Sequence, residues 1–93
     1  MNQDTHFAIA FLKTAASICT ERYHGGASAT KDLATCLVSA RDNLPRQDTR
    51  RRRVELLIGV LRRRYGSQAR LDVHSRRTIH RRITSILAID NSA

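Results

Sequence analysis

The stretch that decides the fold is 50–64, which reads RRRRVELLIGVLRRR. Between its two arginine runs, apolar side chains recur at the spacing of an α-helix and predict one buried face. That face holds Val54, Leu57, Ile58, Leu61 and Tyr65. Leu56 and Val60 fall on a second flank beside Gly59, where the missing side chain would let another helix approach closely. A helix that is apolar on two sides is expected at the centre of its domain or at a subunit contact.

Two helices are predicted before this stretch. The first runs from about Thr5 to Tyr23, is expected to be largely buried, and ends before two glycines. Its apolar stripe is Phe7, Phe11, Ala15, Ile18 and Cys19, widened by Ala8, Leu12, Ala16 and Tyr23. The second begins at Ser28 or Thr30 and is closed by Pro45. Its apolar face is Leu33, Cys36, Leu37, Ala40 and Leu44. Asp48 or Thr49 can then cap the helix that follows.

A fourth helix is predicted to begin at His74 or Ser75 and to run to about Ala88. Its buried stripe is Ile79, Ile83, Ile86 and Leu87. At 100° per residue the side chains on the far side are Arg77, Arg81 and Thr84, with His80 at the edge and Arg76 and Arg82 beside the stripe. A single helical turn is expected over 67–71. The sequence thus predicts an all-α fold, a small four-helix domain.

Charge divides the chain into two halves. Its 93 residues carry a formal net charge of +9, yet 1–45 holds four basic and four acidic side chains and is neutral. Residues 46–82 hold thirteen Arg, no Lys and three acidic side chains, a net of +10. A domain this small buries little surface, so a dimeric helical bundle is expected. Within this single domain, 1–93, we assign 5–45 to core and dimer contacts and 46–88 to nucleic-acid binding.

The exclusive use of arginine in the basic half indicates a polyanionic partner. The planar guanidinium matches phosphate bidentately and can also bind a guanine edge, whereas solubility alone is served by Lys and Glu. We therefore expect a duplex nucleic acid as partner. The predicted contacts are Arg50, Arg51, Arg52, Arg53, Arg62, Arg63, Arg76, Arg77, His80, Arg81 and Thr84.

Residues 65–83, YGSQARLDVHSRRTIHRRI, resemble the second half of a helix-turn-helix. Gln68, Ala69 and Leu71 would lie on a short helix, Val73 in the turn, and Ser75 at the start of the recognition helix. With the helix over 50–64 as support, the arrangement is similar to that of the Fis nucleoid protein or the Trp repressor, small all-helical dimers that bind duplex DNA. The helix before the turn is about three residues shorter than the pattern, and His74 is an added residue. The resemblance implies that base and phosphate contacts come from Arg76, Arg77, His80 and Arg81.

Two other partners stay open. Long basic helices in a dimer can lie along duplex RNA and contact phosphates and sugar hydroxyls by shape. Residues 32–41 resemble a helix of the double-stranded-RNA-binding silencing suppressors of nodaviruses, although Pro45 breaks the long helix that those proteins use. A small phage or viral inhibitor that binds an acidic surface of a nucleic-acid enzyme would also need such a charged face. A plain solvated charged face is the remaining interpretation.

The sequence gives little support for catalysis, metal binding or membrane insertion. The carboxylates are scattered, and nothing marks an oxyanion site near a cysteine–histidine pair, so we expect no enzyme and no cofactor. No cysteine pair has the spacing of a structural zinc site, and Cys19 and Cys36 fall on apolar stripes, where reduced buried thiols are expected. The longest apolar run, 7–12, is too short for a membrane span, and no signal peptide is expected. We expect a cytoplasmic or nucleoid-associated protein, or a nuclear one if 50–53 serves as a localisation signal.

Overall fold

Four α-helices account for most of the chain that the computed structural model describes, which is 3–20, 29–65 and 71–89. They are α1 (Gln3–Ile18), α2 (Ala29–Asp42), α3 (Thr49–Tyr65) and α4 (Val73–Leu87). These residues include no β-strand, so the all-α prediction with four helices is confirmed. The predicted end of the first helix at Tyr23 and the helical turn over 67–70 lie outside the described residues; Leu71 is buried and not helical.

The helices form a bundle in which each has two neighbours. α1 packs against α2 and α4, and α3 packs against the same two helices. Across the diagonals, the backbones of α1 and α3 are further apart within the described ranges, as are those of α2 and α4. The molecule measures 38 × 25 × 18 Å. The two arginine-rich helices, α3 and α4, are therefore side by side.

The core is aliphatic. Its largest fully buried side chains are Leu12, Leu33, Leu37, Leu44, Val54, Leu57, Leu61, Ile79 and Ile83. Every helix contributes to this set, and the stripe predicted on the fourth helix is found, with Ile86 also buried and Leu87 packed against the core. Since apolar burial is the dominant favourable term in folding, the positions of α3 and α4 are fixed by this shared core.

Two predicted packing details are wrong. On α1 the predicted Ala8, Leu12, Ala15 and Ile18 are buried together with Thr5, but Phe7, predicted on the same stripe, is 49% exposed. Only five of the 16 residues of α1 are buried, so the helix is not largely buried. On α3, a methyl group placed at Gly59 would meet only the Arg63 guanidinium, at 3.7 Å, so no other helix approaches closely there within the described chain.

Aspartates start both basic helices. Asp48 accepts a hydrogen bond from the backbone N–H of Arg50 at 2.9 Å, as the capping prediction for that helix allowed. α4 begins one residue earlier than predicted, because Asp72 is its N-cap and accepts from the N–H of Ser75 at 2.7 Å. Ser75 is thus inside the first turn and is not the cap, and Val73 belongs to the helix and not to a turn. A carboxylate at this position satisfies a free amide and carries a charge favourable to the helix dipole.

Candidate nucleic-acid interface

The outer surface of α4 carries several of the predicted contact residues. Ile79, Ile83 and Ile86 hold the opposite side of the helix in the core. Facing solvent are Arg77, Arg81, Arg82 and Thr84, with Arg76 and His80 partly buried. The helix contains no acidic residue between its first and last positions, so every charged side chain that it presents to solvent is basic. A rigid helix that displays arginine and threonine in this way can donate hydrogen bonds to phosphates or base edges.

The run at the start of α3 does not act as one basic patch. Arg50 is buried, and its guanidinium donates to the carboxylate of Asp48 from Nη2 at 2.8 Å and from Nε at 3.1 Å. The two side chains are only 7% and 8% exposed. Arg50 was predicted to contact nucleic acid, but the structure places it in a bidentate ion pair at the helix start. The signal that could have shown this is the aspartate two residues before it.

Arg51 is also used by the fold. Its Nη1 donates to the backbone oxygen of Leu44 at 2.8 Å, and its Nε donates to Glu55 at 3.2 Å. These contacts tie the connector between α2 and α3 to the first turns of α3. Arg52 and Arg53, by contrast, are exposed. Only the second half of the predicted run therefore faces solvent.

The far end of α3 carries the other exposed basic group, Arg62, Arg63 and Arg64. At 1.5 Å per residue, Arg53 and Arg63 are about 15 Å apart along the helix axis. Glu55 is the one acidic residue of this helix. Together with the outer surface of α4, α3 thus offers separated positive groups on one pair of neighbouring helices.

A groove of about 510 Å³ runs between α3 and α4. Its lining is Arg53, Leu56, Leu57, Thr78, Arg81, Arg82, Ser85 and Ile86. No carboxylate is among these described residues, and the floor is apolar. We name this feature the α3–α4 groove. Sequence reasoning missed it, because Leu56 was assigned to a second packed flank and yet is 60% exposed.

A smaller pocket of about 320 Å³ lies between the end of α1 and α4, lined by Cys19, Thr20, Arg77, His80 and Arg81. Burial raises the pKa of the Cys19 thiol from 9.0 to about 11, although the positive charge of Arg76 opposes the shift. The thiol is therefore protonated at neutral pH. A nucleophilic role needs the thiolate, so this pocket lacks an activated nucleophile at Cys19.

The second cysteine is similar in character. Cys36 is a free thiol that is only partly buried, and its pKa is raised first by burial and then by the charge of Asp32. In the part of the chain that the structure describes, no three His, Cys, Asp or Glu side chains come together as metal ligands. None of the helices within 3–20, 29–65 and 71–89 is long and apolar enough to cross a membrane.

No protein-family model, curated protein or solved structure matches this chain. What the surface can bind must therefore be inferred from its own charge and shape. Of the predicted set, the structure brings Arg53 and Arg81 together in the α3–α4 groove and Arg77, His80 and Arg81 together around the smaller pocket. The other members on the two helices line neither feature: Arg52, Arg62, Arg63, Arg76 and Thr84. Arg50 and Arg51 are set apart by their intramolecular contacts.

Proposed function

We propose that this chain is a non-catalytic protein that binds duplex DNA, with α4 as the helix that enters the major groove. The observation that carries this proposal is the outer surface of α4, where Arg77, Arg81 and Thr84 face solvent on a helix without acidic residues. A recognition helix needs one side fixed on a core and the other turned towards solvent, where its side chains can meet base edges. A transcriptional regulator or an architectural protein of the cytoplasm or nucleoid would use such a surface.

In this proposal α3 and α4 make different kinds of contact with the duplex. Arginine on α4 can donate two parallel hydrogen bonds to a guanine edge, which specifies sequence. The exposed groups on α3, around Arg53 and Arg63, suit phosphates, which position the protein but carry no sequence information. Affinity should therefore fall steeply with salt, while sequence preference should depend on α4 alone.

A dimer is part of this proposal. Two recognition helices must be about 34 Å apart to meet successive major grooves. Like charges oppose self-association through α3 and α4, so the neutral half of the chain is the better dimer contact. Phe7, 49% exposed on α1, is a large apolar side chain on that half. We propose that Phe7 lies at or near the contact between subunits.

Duplex RNA is the second candidate. It is favoured by the spread of exposed arginines over two neighbouring helices, which could follow phosphates across a minor groove by shape. On RNA, α3 and α4 would contribute alike and neither would confer sequence preference. The two duplexes therefore predict different effects from the same substitutions.

The experiment compares two double variants at matched net charge. Arg77→Ala with Arg81→Ala should relax sequence preference as well as weaken binding to duplex DNA. Arg62→Ala with Arg63→Ala should weaken binding to every sequence alike and reduce the salt slope by roughly 0.9 for each phosphate that is no longer neutralised. Both are measured by fluorescence anisotropy on a specific and a scrambled duplex. Equal reductions in affinity on every sequence from both variants would contradict the recognition role of α4, and no reduction from either would contradict duplex binding.

A further inference from the structure

The most exposed large apolar side chain among the described residues stands beside arginines. Leu56 is 60% exposed, more than Phe7 at 49% or Val73 at 45%. It lines the α3–α4 groove, whose floor also holds Leu57 and Ile86. A single exposed leucine is ordinary, but one at the edge of a concave apolar floor is typical of a binding groove. The volume of about 510 Å³ is in the range of sites that bury a ligand.

The rim of the groove is positively charged. Arg53 lines the groove from α3, and Arg81 and Arg82 line it from α4, together with Thr78 and Ser85. Within the described ranges, no carboxylate forms a salt bridge with any of these three guanidiniums. A complementary occupant must therefore present both anionic groups and aliphatic or aromatic groups.

Two occupants fit this combination poorly. A second copy of the chain, placed groove to groove, would bring Arg53, Arg81 and Arg82 of both copies together without a compensating acid, and such like-charge contacts oppose association. A duplex backbone supplies the negative charge, but its phosphates and sugars offer no apolar side chain to cover Leu56. An acidic amphipathic helix supplies both, since one face can carry leucine or phenylalanine and its edges aspartate or glutamate.

We propose that the α3–α4 groove binds an acidic amphipathic helix of a partner protein. Apolar anchors of that helix insert beside Leu56, and its carboxylates pair with Arg53 on one rim and Arg82 on the other. The groove shares Arg53 and Arg81 with the proposed duplex surface, but its apolar residues, Leu56 above all, have no part in that surface. Peptide binding that depends on Leu56 is therefore tested independently of the proposed DNA binding.

The test uses the full chain and a synthetic helical peptide of about 18 residues, long enough to form a helix on binding. The peptide carries Leu at helical spacing on one face and Glu elsewhere; a second peptide has the same composition in scrambled order. The amphipathic peptide should bind at least about tenfold more tightly than the scrambled one, as expected when apolar burial adds to charge. Anisotropy of the labelled peptides measures both affinities.

Variants locate the site. Leu56→Ser should weaken peptide binding by about tenfold or more and leave duplex binding unchanged. Val73→Ser is the matched control, an exposed apolar side chain at the start of α4 and outside the groove lining, and should not alter peptide binding. Circular dichroism and thermal unfolding verify that each variant is folded, which the exposure of both side chains favours.

Three outcomes would overturn this inference. They are equal affinity for the amphipathic and scrambled peptides, equal affinity of Leu56→Ser and wild type for the amphipathic peptide, and a decrease in duplex affinity of Leu56→Ser as large as its decrease in peptide affinity. The first would mean that charge alone attracts the peptide, the second that the groove is not its site, and the third that the groove belongs to the duplex. Failure of duplex binding with intact, Leu56-dependent peptide binding would reject only the proposed DNA function.

Discussion

Two arginines at the start of α3, Arg50 and Arg52, should respond differently to substitution by alanine. Arg50→Ala should destabilise the fold, because it leaves the buried carboxylate of Asp48 without its guanidinium. Arg52→Ala should leave stability nearly unchanged and weaken duplex binding, because that side chain is exposed. The two variants have the same net charge and lie two residues apart, so a long-range effect of charge cannot separate them.

The magnitude follows from the burial of the ion pair. Removing one partner of a buried pair costs about 3–5 kcal/mol. We expect the lower end, about 3 kcal/mol, because the backbone N–H of residue 50 still donates to Asp48. At about 4–8 °C per kcal/mol for a domain of this size, the Tm should fall by about 12–24 °C. Arg52→Ala should stay within about 0.5 kcal/mol of wild type and reduce the salt slope by roughly 0.9.

Urea unfolding followed by far-UV circular dichroism measures stability, and anisotropy on duplex DNA measures binding. Arg41→Ala is the matched control, because it removes an ion pair with Asp42 whose side chains are 28% and 56% exposed, and surface pairs contribute about 0–1 kcal/mol. A wild-type urea midpoint for Arg50→Ala would refute the structural role of this pair. If Arg50→Ala instead keeps wild-type stability but binds the duplex more weakly, Arg50 contacts the duplex.

Three further predictions concern pH and the core. Because burial raises the Cys19 pKa from 9.0 to about 11, its contribution to stability is present below pH 9 and is lost as the pH rises towards 11. Thermal unfolding of Cys19→Ala should lack this alkaline loss, and an identical pH profile would contradict it. The hydrogen bond from the Ser75 backbone N–H lowers the Asp72 pKa below 3.8. The Asp72 carboxylate therefore contributes to stability above that pH, and this contribution is lost on acidification. Asp72→Ala should remove this acid dependence and reduce the helical circular dichroism signal, whereas an unchanged signal would argue against the cap. In urea unfolding, Leu33→Ala should lower the free energy of unfolding by about 2–5 kcal/mol and Leu56→Ala by less than about 0.5 kcal/mol. Equal losses would contradict the burial of Leu33 and the exposure of Leu56.

Much of the fold could be predicted because apolar periodicity is a local property. On α4 the isoleucines fall on one narrow stripe, and the structure buries that stripe. On α1 apolar residues cover more than half of the circumference, so periodicity alone cannot tell which line faces the core. Packing against the neighbouring helices determines which line is buried, and in the structure Ala8 and Leu12 are buried whereas Phe7 is exposed.

The candidate site was less predictable for a related reason. A run of arginines indicates positive charge but does not indicate which side chains form intramolecular hydrogen bonds. In the structure Arg50 donates to Asp48, and Arg51 donates to the backbone oxygen of Leu44. The α3–α4 groove depends on two helices lying side by side, which no local pattern specifies. Leu56 could be interpreted as core or as subunit contact until the packing of α3 was known.

The most direct measurement of the central claim is fluorescence anisotropy of the full chain with duplex DNA, duplex RNA and single-stranded RNA of matched sequence across a salt series. We predict tightest binding to duplex DNA, with a log–log salt slope that reflects several phosphate contacts. A preference for duplex RNA would move function to the second candidate. Binding to none of the three, or binding that salt does not weaken, would contradict the assignment of α3 and α4 as a nucleic-acid interface.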